Sequence, residues 1–101
     1  MNFEKLRQYA PQILQLAHEH GITRVFVFGS VARGESTPRS DVDLLVEMKE
    51  DTSLFEMAGF GYEAEKLLKV QVDVIPTLLL PQLKDQNFAS NVISQSVLLE
   101  V

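Results

Sequence analysis

The chain has no cysteine, which excludes disulfides, thiolate metal sites and cysteine nucleophiles. It is also short of positive charge. Nine Lys and Arg stand against fourteen Asp and Glu, for a formal net charge of -5. A large nucleic-acid surface needs clustered cations, so none is expected. A nucleotide is still admissible, because a bound metal supplies positive charge locally. No apolar run approaches the ~20 residues of a membrane span. The opening Met1-Asn2-Phe3-Glu4 leads into a mixed segment rather than the apolar stretch of a signal peptide. No membrane association and a cytoplasmic location are therefore expected. With 101 residues, 46% of them hydrophobic, residues 1–101 are expected to form one small domain with one core.

The order of elements follows from periodicity. Phe3, Leu6, Ala10, Ile13 and Ala17 recur at steps of three and four, which predicts a helix over 3–19. Pro11 predicts a bend there, or a helix that starts near it. Residues 24–29 form an apolar run rich in Val and Phe, the pattern of a buried strand. Ser30 is expected to cap a short turn through Arg33, stopped by Gly34. Residues 35–40 read as polar loop, and 42–48 as the second strand. A helix over 54–68 carries Leu54, Met57, Ala64, Leu67 and Leu68 at helical spacing, with Gly59 and Gly61 allowing close approach to a neighbour. Residues 70–75 read as a third strand closed by Pro76. An apolar connection over 77–81 leads to a last helix over about 82–98. The apolar ending at 97–99 fits packing on a partner, whether another copy or a different protein. The predicted order is α-β-β-α-β-α. That order predicts an α/β (α+β) domain, one sheet covered by helices with its other face partly open.

Asp41 and Asp43 carry the most chemical information. Side chains two apart on a strand point the same way, ~7 Å apart at their Cα atoms. Val42, Leu44 and Val46 then face the core while the two aspartates project together. Paired carboxylates repel each other, and a divalent metal removes that penalty. Mg²⁺ favours carboxylate and phosphate oxygens together, and two ions can clamp attacking and leaving oxygens. Asp73 alternates with Val72 and Val74 on the third strand and is the best third ligand if that strand neighbours the second. It is also the best placed general base. Glu47 shares the face but lies ~13 Å along the strand from Asp43. Upstream, the first apolar run empties into Gly29-Ser30, where backbone N–H groups and a hydroxyl can approach a phosphate. The glycine spacing and the missing lysine exclude a Walker A loop. Arg33 lies in the same turn, in reach of a phosphate or of Glu35 or Asp41. Arg39 is a weaker phosphate candidate, and Ser40 can cap or orient Asp41. His18 and His20, two apart on a helix, do not share a face and are not expected to form a site.

The stretch Gly29-Ser30-Val31-Ala32-Arg33-Gly34 through Ser40-Asp41-Val42-Asp43, with ten residues between Ser30 and Asp41, resembles the polymerase-β-like nucleotidyltransferases. It looks most like their minimal nucleotidyltransferase (MNT) branch, the MntA-like antitoxins. Val72-Asp73-Val74-Ile75 looks like the strand bearing that family's third carboxylate. The resemblance implies a nucleotidyltransferase fold, a small mixed β-sheet with helices packed on one face, and transfer of a nucleoside monophosphate from an NTP. It implies Asp41, Asp43 and Asp73 as ligands of Mg²⁺, and Gly29 and Ser30 on the triphosphate of ATP. It also implies a partner, a cognate HEPN-domain RNase toxin that is inactivated by adding AMP to a tyrosine. A chain with little room for its own acceptor site suits an acceptor supplied by a partner protein. Two other readings stay open: a non-enzymatic antitoxin that neutralises by binding, and a small-molecule nucleotidyltransferase.

Overall fold

The computed structural model describes residues 1–37 and 41–101. Arg39 and Ser40, both candidates above, lie outside the described residues. A four-stranded mixed sheet runs in the order β3-β2-β1-β4. Its strands are β1 (Ile22–Phe28), β2 (Val42–Met48), β3 (Val72–Pro76) and β4 (Val97–Leu98). β1 pairs antiparallel with β2 and with β4, while β2 and β3 are parallel. Parallel neighbours need a crossover, and α4 (Leu54–Leu68) supplies it. Ser53 caps α4 by accepting from the Glu56 N–H, at 3.4 Å.

The predicted first helix is two. α1 (Phe3–Gln8) and α2 (Ala10–Glu19) divide at Tyr9, and Pro11 falls in the first turn of α2, where its missing N–H costs nothing. These helices and α4 cover one face of the sheet. Leu6, Ile13, Val25, Val27, Val42, Leu44, Val46 and Phe60 form its core. Gly61 is buried where α4 meets β3, but a Cβ there would lie 3.4 Å from Val74, an ordinary contact, so the expected close approach does not depend on glycine. His20 closes the far end of this layer with Nδ1 3.0 Å from Glu56 Oε2, which gives it a structural role.

The C-terminal third differs from the expected single helix. A 3₁₀ helix (Thr77–Gln82) is followed by α5 (Gln86–Gln95), which the side chain of Asp85 caps. Both pack on the opposite face of the sheet, where Leu80, Ala89 and Val92 meet Phe28 and Leu45. That second layer covers only part of its face. The residues expected to meet a partner turn back onto their own sheet. Val97 and Leu98 pair with Val27 and Phe26, and Leu99 is buried in the main core, 2% exposed. Among the described residues no helix is long and apolar enough to cross a membrane.

Candidate active site

Strand alternation divides β2 between the two layers. Val42, Leu44 and Val46 enter the main core, and Asp43 and Leu45 point to the other face. On β3, Val72 packs with the main core, and Asp73 and Ile75 point with Asp43. The parallel register sets Asp43 directly opposite Asp73. The two carboxyl groups lie within hydrogen-bonding reach of each other. Gln71 donates to Asp73 Oδ1 at 3.2 Å and steadies that side chain.

Gly29 fixes the third wall. The turn from β1 into the short helix α3 (Gly29–Arg33) has φ +74° at this residue, a left-handed conformation that glycine adopts freely. A Cβ there would fall on Asp43 Oδ2, so the turn and the carboxylate fit only without a side chain. Ser30 was expected to cap α3, but the helix already starts at Gly29 and has no side-chain cap. Ser30 instead sits one residue inside it, where its carbonyl accepts from Glu35 N–H at 3.0 Å. Gly34 ends α3 in the left-handed conformation.

Arg33 leans over the same cleft. Its Nε donates to Glu35 Oε2 at 3.1 Å and its Nη1 to Gln95 Oε1 at 3.2 Å. The cleft has a volume of about 480 Å³ and brings together Gly29, Arg33, Asp43 and Asp73 with Phe28, Ile75 and the α5 residues Phe88, Asn91, Val92 and Gln95. That volume suits a small-molecule site. A larger groove of about 590 Å³ lies between α2 and α4, but its charged lining is only Glu63 and Lys66, with no facing carboxylates.

Asp41 stands apart from this pair. It is exposed, just ahead of β2, and reaches Asp43 through its charge. Among the described residues, no three His, Asp or Glu side chains converge as a closed donor set. Glu47 is too far along β2 to join, and sits 3.7 Å from Arg24 Nε. Burial pushes the Asp43 carboxyl from the ordinary 3.8 up to about 6, reinforced by the charge and hydrogen bond of Asp73 and by the Asp41 charge. Arg33 opposes the shift but is shared with Glu35 and Gln95. Among the described residues, the cleft therefore carries negative charge that Arg33 does not offset. An all-oxygen donor set of this charge fits a hard divalent ion such as Mg²⁺.

The α5 contribution escaped the sequence reading. Phe88, Asn91, Val92 and Gln95 follow one helix face at steps of three and four, but mixed polarity hides the stripe from a hydrophobic count.

Residues 6–98 match the model of a family described as nucleotidyltransferase domain. A Methanocaldococcus jannaschii protein, provisionally named as a protein adenylyltransferase, is 37% identical over 87 residues, 85% of this chain and 90% of the relative. The Thermococcus cleftensis protein adenylyltransferase MntA is 38% identical over 61 residues, 60% of this chain and 62% of that protein. A solved structure described provisionally as a minimal nucleotidyltransferase superposes with a TM-score of 0.77 at 37% identity, covering 96% of this chain and 95% of the other. Two more distant structures share the fold. A toxin–antitoxin structure with AMP-PNP has a TM-score of 0.71 at 17% identity, over 90% of this chain and 72% of that one. A complex of a tri-AMPylated Shewanella oneidensis HEPN toxin with an MNT antitoxin has a TM-score of 0.62 at 17% identity, over 93% and 71%. The chain belongs to the nucleotidyltransferase domain family, and its 37% likeness to a minimal nucleotidyltransferase runs over nearly the whole of both chains.

Proposed function

We propose that this nucleotidyltransferase is a Mg²⁺-dependent protein adenylyltransferase. It transfers AMP from ATP to a tyrosine of a cognate HEPN-domain toxin and so acts as an antitoxin. The observation that carries the reading is the facing of Asp43 and Asp73, in register, in a cleft that also holds Gly29 and Arg33. The adenylyltransferase names of its relatives and the AMPylated toxin bound to a protein of the same fold support the choice of acceptor.

Asp41, Asp43 and Asp73 would hold the metal, as two ions in this reading. When bound, Mg²⁺ supplies charge neutralisation at the α-phosphate and lowers the pKa of the acceptor hydroxyl. The chain's own residues do the rest. Gly29 lets the backbone approach the triphosphate with no side chain in the way, and Ser30 adds a hydroxyl donor. Glu35 and Gln95 hold the Arg33 guanidinium at the cleft, where it meets phosphate charge. The phenolic oxygen of the acceptor forms its bond to the α-phosphorus as the bond to the pyrophosphate oxygen breaks. The phenolic proton passes to the Asp73 carboxylate, and pyrophosphate leaves.

The test is incubation with labelled ATP, Mg²⁺ and the purified product of the adjacent gene. Label should appear on a tyrosine of that product. Asp73→Asn should reduce transfer by about 100-fold or more while the melting curve stays cooperative. No label from any of the four NTPs would overturn the reading. Neutralisation that survives Asp41→Ala with Asp43→Ala, at matched expression, would put sequestration in its place.

A further inference from the structure

The reacting end of the cleft accounts for only part of its lining. Gly29, Arg33, Asp43 and Asp73 supply charge and backbone. Phe28, Ile75, Phe88 and Val92 supply an apolar wall, and Asn91 and Gln95 supply two amides. A nucleoside triphosphate has the same division, an anionic chain followed by a flat, polar-edged base.

Phe88 is 45% exposed although it belongs to the cleft. It is nonetheless held in place. The side chain of Asp85 accepts from the Phe88 N–H at 3.0 Å, which fixes the first turn of α5. The next residue, Ala89, and Val92 are buried against Phe28, Leu45 and Leu80. A rigid backbone therefore presents an aromatic ring to solvent in a cleft. Asn91 lies one turn further along the same face, and its side-chain amide has no hydrogen-bond partner among the described residues. Gln95, another turn on, is bonded to Arg33. From Gln95 back to Phe88 is ~10 Å along the helix axis, the scale of a nucleoside. The face thus runs from the guanidinium, past a free amide, to an exposed ring.

We infer that this face of α5 is the nucleoside subsite, with Phe88 stacking on the base and Asn91 hydrogen-bonding its edge. The inference rests on the nucleotidyl-transfer reading and adds the residues that hold the part of the substrate away from the phosphates. Stacking tolerates every base, because each has a π-face. Discrimination then falls to Asn91, whose amide offers one donor side and one acceptor side, the complement of the adenine edge. It also assigns α5 a role beyond covering the sheet, since nucleotide would hold it against β2 and β3.

The test compares ATP with inorganic triphosphate, each titrated in Mg²⁺ into the full chain by calorimetry. Phe88→Ala should weaken ATP by about 10-fold to 100-fold and leave inorganic triphosphate unchanged. Phe88→Trp should restore ATP affinity. Asn91→Ala should narrow the preference for ATP over CTP. Leu78→Ala, at an exposed leucine outside the cleft, serves as the control and should change neither ligand. Unchanged ATP affinity in Phe88→Ala overturns the inference. Equal loss of both ligands also overturns it, because it shows a structural role for the ring. A wild-type chain that binds neither ligand overturns the nucleotidyl-transfer reading itself, and the subsite with it.

Discussion

Gly29 is the residue on which the geometry of the cleft turns. Its left-handed φ would strain any other residue, and the space a Cβ needs is taken by Asp43 Oδ2. Gly29→Ala should therefore cost about 1–3 kcal/mol of stability and push Asp43 out of line with Asp73. Urea denaturation measures the first effect and labelled transfer the second. A variant with native stability and native activity would contradict both. At this scale the strand period was informative within β2 and β3, but it also set Asp41 beside Asp43, and the structure leaves Asp41 exposed ahead of β2. The two-residue period of strands put Asp43 and Asp73 on the face away from Val42, Val72 and Leu44, and the structure places them so. The small-residue turn before the aspartates was legible too, but not that Gly29 lies under Asp43. Arg33 was legible only as alternatives. The structure gives it Glu35, which was foreseen, and Gln95, which was not. Gln95 is 62 positions away in sequence, and no local pattern encodes such a contact.

At the scale of elements, the reading held where local signals were strong. Pro11 marked the start of α2 and Gly34 the end of α3. It failed at residues 77–99, where the local signals conflict. Asn87, Asn91 and Ser94 are weak helix formers, and Val97-Leu98-Leu99 reads equally as an apolar helix end or a strand. Tertiary structure decides between them. β1 would have an open edge without β4, Ser96 is extended, and the Leu99 N–H reaches the Val25 carbonyl at 2.8 Å. The burial of Leu99 then anchors the chain end. Leu99→Ala should cost about 2–5 kcal/mol. Leu98→Ala, at a side chain 40% exposed, should cost under about 1 kcal/mol. Chemical denaturation of the two variants side by side separates them. Equal small losses would mean that the segment is not part of the core and would return it to the partner surface first expected.

At the scale of the whole molecule, the acidic balance and the cleft are one electrostatic problem. A chain of net charge -5 sets Asp43 and Asp73 face to face, adds the charge of Asp41 to Asp43, and among the described residues turns Arg33 against them. The consequence is a pH dependence of stability with a definite sign. The Asp43 carboxyl titrates near 3.8 when unfolded and near 6 when folded, mainly through burial and then through Asp73. Below 3.8 it is protonated in both states and contributes no difference. Between 3.8 and about 6 the folded chain keeps a proton that the unfolded chain has lost. Stability from this group therefore falls as pH rises through that window, and the loss is complete above it. Other carboxylates titrate nearby, so the measurement is a difference. In EDTA, the melting temperature of wild type relative to Asp43→Asn should drop as pH rises through the window and level off above it. Adding Mg²⁺ near pH 7 should recover wild type more than Asp43→Asn, since only the carboxylate gains a cation partner. Parallel melting curves for the two proteins across the window, with or without the metal, would mean that Asp43 carries no such stress and that the charge of the cleft is balanced some other way.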